Sequence, residues 1–386
     1  MKTPKGAATR LALALLFAIG APSVSMAKTF VYVSNAQDGN IDAYSMDTGT
    51  GVLTPLGKTE AGKLVMPMTV SPSKKHLYAV IRSQPPRVLT YAIDPATGAL
   101  AQKASAPLPD SMPYVSTDHT GRYLFTASYG GDKLAVSPIG ENELVEKEAI
   151  QVIATGRNAH AILPDRSNKF VYATTLGANQ VLQFTFDAKT GKLTPNEPAA
   201  VSPEAGHGPR HMALSADNRN LYVLNELSGH VTQYAVDAAK GTLTLVESIA
   251  SVPAEAGLVW GAPQAPAGTA PAAAAPKDDK PKIWAADIQI TPNGKFLYST
   301  ERTTSKIALF TVAPGTGKLA YVANFATETQ PRGIKIDPSG QYLVASGEKS
   351  DRLSVYKIDQ GTGKLGEPSR YPVGNGANWV EIVDIP

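Results

Sequence analysis

The sequence predicts an all-β protein, a seven-bladed β-propeller with four antiparallel strands per blade, and three observations predict it. A short strand-like run recurs seven times, its period is close to 47 residues, and 33 glycines and 30 prolines supply the turns that many short strands need. The runs are FVYVSN at Phe30, HLYAVI at His76, YLFTAS at Tyr123, FVYATT at Phe170, NLYVLN at Asn220, FLYSTE at Phe296 and YLVASG at Tyr342. Between the markers Tyr32, Tyr78, Phe125, Tyr172, Tyr222, Tyr298 and Val344 the spacings are 46, 47, 47, 50, 76 and 46.

Each element follows from the pattern around these runs. Before most markers lies another strand and a tight turn, as in MPMTVSPSKKHLY and QPRGIKIDPSGQYL. After most markers an alternating run leads through a glycine turn to a further strand, as in VLTYAIDPATGALAQ and LSVYKIDQGTGKLGE. Four strands in a period of 40–50 residues is the arrangement of a propeller blade. The long interval carries about 29 extra residues, 254–282, rich in Ala and Pro and ending in KDDKPK, which read as a flexible surface loop. The first repeat starts at its second strand and the chain ends on a lone inner strand, ANWVEIVDI. The C-terminal strand is therefore expected to complete the N-terminal blade and remove the open edges of the array.

The first 27 residues read as a cleavable export signal. Lys2, Lys5 and Arg10 form a basic start, residues 11–20 an apolar stretch, and Ser25-Met26-Ala27 a small-residue cleavage site. Ten apolar residues fall short of the roughly 20 needed to cross a bilayer. The domain division is thus a signal peptide over 1–27 and one propeller domain over 28–386, with the expected location the bacterial periplasm. Cleavage removes three basic and no acidic residues, leaving 33 of each. That balance gives no electrostatic ground for a nucleic-acid partner, or for a membrane partner once the signal is gone. The absence of cysteine excludes disulfides, thiolate metal sites and thiol nucleophiles.

The repeat also predicts where chemistry gathers. The inner and second strands of a blade form a hairpin, so the start of one and the end of the other share one face of the ring. Twelve residues before each marker stand Met66, Pro113, His160, Arg210, Ala286 and Arg332, with Asn378 supplied by the last strand. Four residues after each marker stand Ala36, Arg82, Tyr129, Leu176, Glu226, Arg302 and Glu348. Each early–late pair is symmetric about its turn and should meet across the ladder. Titratable groups of several blades thus converge on one mouth, the usual place for a small-molecule site. Arg210 with Glu226, and Arg332 with Glu348, also suit ordinary ion pairs, and an isolated His160 suits a satisfied core histidine. Their recurrence at one register on different blades is what favours a site. His76, His119, His207 and His230 fall in turns and loops and carry less weight.

Three segments then carry a resemblance. GHGPRHMALSADNRNLYVLNELSGHVTQY, WAADIQITPNGKFLYSTERTTSKIALF and TETQPRGIKIDPSGQYLVASGEKSDRLSVY are similar to the propeller-type 6-phosphogluconolactonase family, a family that also includes carboxymuconate-cyclising enzymes, and the similarity spans all seven repeats. The resemblance implies a lactone-hydrolysing enzyme whose catalytic set falls on His160, Arg210, Glu226 and Arg302. Arg82, Tyr129, His211, Arg332 and Glu348 are the substrate-binding candidates, of which His211, adjacent to Arg210 in a strand, is expected to point away from it. The export signal and the Ala/Pro-rich insert depart from the family pattern.

Hydrolysis of a lactone fits these residue types. Water attacks the ring carbonyl and charge develops on its oxygen. Guanidiniums stay protonated and donate several hydrogen bonds, so Arg210 and Arg302 suit that oxyanion. Glu226 or His160 would take the proton from water. Glu226 beside Arg210 should be ionised and weakly basic, which favours His160. No cofactor or metal is called for. Sugar phosphates are cytosolic, so an exported enzyme is expected to act on a free aldonolactone such as D-glucono-1,5-lactone. The alternatives are a 6-phosphogluconolactonase proper, a muconate-type lactonising cycloisomerase binding two carboxylates, and a non-catalytic binding propeller.

Overall fold

The computed structural model describes residues 1–2, 27–265 and 280–385. Of the expected export signal, 1–27, residues 3–26 lie outside the described residues. The described chain folds into seven four-stranded antiparallel sheets. The seven strand-like runs are the second strands of the blades, and six keep the bounds read from sequence: His76–Ile81, Tyr123–Ser128, Phe170–Thr175, Asn220–Asn225, Phe296–Glu301 and Tyr342–Gly347. The other, Lys28–Asn35, extends two residues before Phe30. Ring closure is as expected: Lys28–Asn35 pairs antiparallel with Ala377–Ile385, so the chain's last strand is the innermost of the first blade.

The alternation of apolar residues explains why these sheets stack. Each second strand is buried on both faces, since it packs against the neighbouring blade on each side. The core is accordingly divided into seven apolar clusters lying between adjacent sheets. In one, Phe170 and Tyr172 meet Leu221, Val223 and Tyr234 of the following blade. The marker tyrosines bury their rings and send their hydroxyls into the next blade's outer hairpin. Tyr32 donates to Gly98 O (2.8 Å), Tyr172 to Gly241 O (3.1 Å), Tyr222 to Gly317 O (2.7 Å) and Tyr298 to Gly363 O (2.6 Å). Glycine is required there. Gly241 has φ +68°, and an added Cβ would lie 2.1 Å from the Phe170 ring.

The inserted segment is tied to the fold at both ends. Ala254–Ala256 forms a short 3₁₀ turn, Val259 and Lys282 make a parallel bridge, and Gly261 N–H donates to Leu227 O at 2.8 Å. Trp260 stacks edge-on against His207 with ring centroids 5.1 Å apart. The described parts of the insert, 254–265 and 280–282, are therefore bonded to the fold. Residues 266–279 lie outside the described residues.

Candidate active site

The inner strands enter the ring through an irregularity that sequence periodicity does not show. Pairing between inner and second strands slips where Ala159 gives way to Ala161, Pro209 to His211 and Pro331 to Gly333. The residue skipped in each case is His160, Arg210 or Arg332. A bulged residue is released from the ladder and its side chain re-aimed, which turns these three toward the mouth of the ring. Two residues earlier the backbone is left-handed: φ is +60° at Asn158, +70° at Gly208 and +55° at Gln330. The carbonyl of that residue accepts from the first residue beyond the second strand. Glu226 N–H donates to Gly208 O (2.8 Å) and Glu348 N–H to Gln330 O (3.0 Å), while Arg302 N–H and Arg82 N–H bind Trp284 O and Leu64 O (both 3.1 Å). Early and late positions are thus pinned to each other by backbone before any side chain acts.

Side chains then close a cavity of about 130 Å³. Arg82, His160, Arg210, Glu226, Arg302 and Arg332 line it, with Tyr129, Trp284, Pro113, Gln264 and Ala265. Glu226 is its organising centre. One carboxylate oxygen lies 2.7 Å from Arg210 Nε and 3.0 Å from an Arg302 terminal nitrogen; the other accepts from Trp284 Nε1–H at 3.2 Å. The Arg302 guanidinium carbon sits 3.7 Å over the Trp284 ring, a cation–π contact in a desolvated setting. Arg210 also donates to Ala286 O, and Arg302 donates to Trp284 O and Ala285 O (both 3.1 Å). Each guanidinium retains further N–H groups for a ligand, since arginine carries five.

The electrostatics follow from burial and crowding. Burial alone would raise the Glu226 pKa, but Arg302 and Arg210 outweigh it and hold the carboxyl below its usual value. Burial lowers Arg302 to about 9 against the opposing pull of Glu226, with Arg210 and Arg332 pushing the same way as burial. His160 is held well below the ordinary histidine value by burial, then by Arg210 and His211. It is therefore neutral at pH 7, with a lone pair available for a proton. Tyr129 faces it edge-on at 5.9 Å and donates its hydroxyl to Gln264 O at 3.0 Å. Arg82 is held by Ser111 Oγ (2.9 Å) and Met66 Sδ (3.1 Å) rather than by a carboxylate, and burial together with Arg332 lowers it to about 10. Four guanidiniums thus face two carboxylates at this mouth. Among the described residues no three His, Asp or Glu side chains gather in a way that could hold a metal ion.

The model of a family described as lactonase, 7-bladed beta-propeller, matches residues 29–382. The chain belongs to that family. The 6-phosphogluconolactonase of Serratia proteamaculans is 38% identical over 356 residues, 92% of this chain and 99% of that protein, and its counterpart from Pectobacterium carotovorum is 37% identical over 355 residues, 92% and 98%. The structure of the periplasmic gluconolactonase of Pseudomonas aeruginosa superposes with a TM-score of 0.78 at 25% identity, covering 94% of this chain and all of that one. The protein is therefore a lactone-hydrolysing enzyme, and the non-catalytic reading falls away.

In this lactonase the four residues expected to be catalytic lie together, and Arg82, Tyr129 and Arg332 share their cavity. Two substrate-binding candidates do not line it. Glu348 stands behind Arg332, bonded to it at 2.8 Å. His211 belongs to the ladder again, one residue past the bulge, so its side chain faces the axial channel and its Nδ1 lies 2.8 Å from Asp287 Oδ1. Sequence reasoning passed over Trp284 and Gln264. Trp284 opens the WAADI segment two residues before the expected rim position, and that motif was the available signal. Gln264 comes from the insert, and no periodicity could have placed it.

Proposed function

We propose that this lactonase is exported to the periplasm and hydrolyses an unphosphorylated aldonolactone such as D-glucono-1,5-lactone. The observation that carries the chemistry is the convergence of neutral His160 with the Arg210–Glu226–Arg302 cluster on one small cavity. His160 removes a proton from water as the water oxygen bonds to the lactone carbonyl carbon. The developing oxyanion is held by the unused N–H groups of Arg210 and Arg302, which are fixed beforehand and need no reorganisation. As the carbon–oxygen ring bond breaks, His160 returns the proton to the departing alkoxide, leaving hydroxy acid. Glu226 stays ionised and acts by aligning both arginines. The free-sugar reading is supported by the basic–apolar–small pattern of residues 1–27 and by the likeness to a periplasmic gluconolactonase.

A specific observation favours a second reading, a 6-phosphorylated lactone: among the described residues Arg82 has no carboxylate partner in its hydrogen bonds, and it stands in the same mouth as Arg332. The test is hydrolysis of D-glucono-1,5-lactone and of its 6-phosphate by pure protein, each measured above its spontaneous rate. The expected result is a preference for the free lactone of at least ~10-fold in kcat/KM, with Arg82→Gln changing it less than ~3-fold. Preference for the phosphate, with an Arg82→Gln loss of ~10-fold or more, would transfer the assignment to the second reading. If neither lactone opens faster than in buffer, both fail.

A further inference from the structure

Beneath the arginine-lined cavity lies a histidine that the chemistry above does not use. His211 is buried, with its Nδ1 2.8 Å from Asp287 Oδ1. Asp287 is itself fixed by three backbone bonds: Ile288 N–H donates to Oδ1 (2.9 Å), Ile334 N–H to Oδ2 (3.0 Å), and its own N–H binds Thr300 Oγ1 (2.9 Å). Burial would raise its pKa, but His211, then the Ile334 and Ile288 N–H groups, outweigh burial and keep its carboxyl below the usual range. An ionised carboxylate only accepts, so it holds the His211 proton on Nδ1 and leaves Nε2 as a lone pair.

That lone pair is buried and has no hydrogen-bond partner among the described residues. So is Nδ1 of His160. The two rings are in edge-to-face contact, 5.1 Å between centroids and 64° between planes. Tyr114 and Trp379 also pack edge-to-face with His211, at 5.1 and 5.8 Å, and hold it in place. Each unsatisfied buried polar atom costs roughly 1–3 kcal/mol, so two on touching rings call for a common explanation. One interaction satisfies both.

We infer that Asp287 and His211 are positioning residues for His160: Asp287 fixes the tautomer of His211, whose Nε2 accepts the Nδ1 proton of His160 directly or through one water molecule. His160 is thereby held with its proton on Nδ1 and its lone pair on Nε2, the form able to deprotonate water. No proton leaves Asp287 or His211 in the cycle; their role is orientation and support of the imidazolium while His160 carries the substrate's proton. The inference rests on the reading of His160 as the base.

The test uses the full chain and whichever of D-glucono-1,5-lactone and its 6-phosphate the wild type hydrolyses, with kcat and KM separated. Asp287→Asn removes the negative charge that fixes the His211 proton on Nδ1 and supports the imidazolium; the expected result is a loss of ~10² in kcat with KM within about twofold, because substrate touches neither residue. His211→Gln, whose carbonyl can still accept from His160, should turn over ~10-fold faster than His211→Leu. A purely structural pair would move stability and leave both patterns flat. If His160→Gln keeps wild-type kcat, the base assignment itself fails. If His160→Gln is inactive while Asp287→Asn and His211→Leu keep wild-type kcat, the positioning role alone is overturned. Should Asp287→Asn not fold, equal rates for His211→Gln and His211→Leu overturn it.

Discussion

The two ends of each inner hairpin are built by opposite rules. At the turn end the same bond recurs in six blades: a side-chain oxygen accepts the backbone N–H five residues on. Ser71, Asp118, Asp165, Ser215, Thr291 and Asp337 do this for His76, Tyr123, Phe170, Asn220, Phe296 and Tyr342, at 2.7–3.1 Å. At the mouth end the backbone geometry also repeats, but the side chains do not: Met66, Pro113, His160, Arg210, Ala286, Arg332 and Asn378 hold equivalent places. The difference separates stability from function. The turn end needs one chemistry, an acceptor for a tight turn, whereas the mouth repeats only a platform and varies what stands on it.

The sharpest way to break this comparison is to change the mouth without changing shape. Glu226→Gln removes the charge shared by Arg210 and Arg302, so lactone hydrolysis should fall by ~10²–10³ and stability by about 3 kcal/mol, since two buried guanidiniums lose their counter-charge. Urea unfolding and initial rates measure both; an active, stable variant would remove Glu226 from the centre of the site. The converse change is Asp165→Ala at the turn end. Its carboxylate accepts from Lys169 and Phe170 N–H at 3.0 and 2.9 Å and from Asn218 of the next blade at 2.8 Å. A loss of about 3 kcal/mol with kcat unchanged is expected from those charge-assisted bonds. A comparable fall in kcat would mean that the two ends are not separable.

A smaller effect sharpens the contrast through pH. Burial, followed by Arg210, lowers His211 to about 4, against the pull of Asp287. The unfolded chain binds that proton first, near pH 6.5, so the contribution is complete above that value and is lost as pH falls toward 4. Stability should drop by about 1–2 kcal/mol between pH 7 and 5 on this account. In His211→Gln, which keeps a donor for Asp287, that share of the slope should vanish. An unchanged slope would show that His211 is not buried neutral.

Much of this was legible beforehand. Six of the seven runs became second strands with the bounds read from sequence, because a period of two with aromatic and β-branched residues admits one register between two apolar faces. The 16-residue symmetry of Arg210 with Glu226, and of Arg332 with Glu348, became two ion pairs at 2.7 and 2.8 Å for the same reason: pairing about a turn is arithmetic. His211 shows where that arithmetic stops. Strict alternation turns it away from Arg210, yet its place in the channel against Asp287 depends on the bulge between Pro209 and His211 and on a residue 76 positions away.

The sequence alone determined the number of blades, the strand that closes the ring and the register that brings His160, Arg210, Glu226 and Arg302 to its mouth, because those follow from repetition along the chain. Only the tertiary structure decided which way each mouth residue faces and what lies behind it. Bulges beside left-handed residues aim His160, Arg210 and Arg332, and segments far apart in sequence supply Trp284 to Glu226, Gln264 to Tyr129 and Asp287 to His211. Periodicity encodes position along a strand; contact between strands of different blades exists only once the circle has closed.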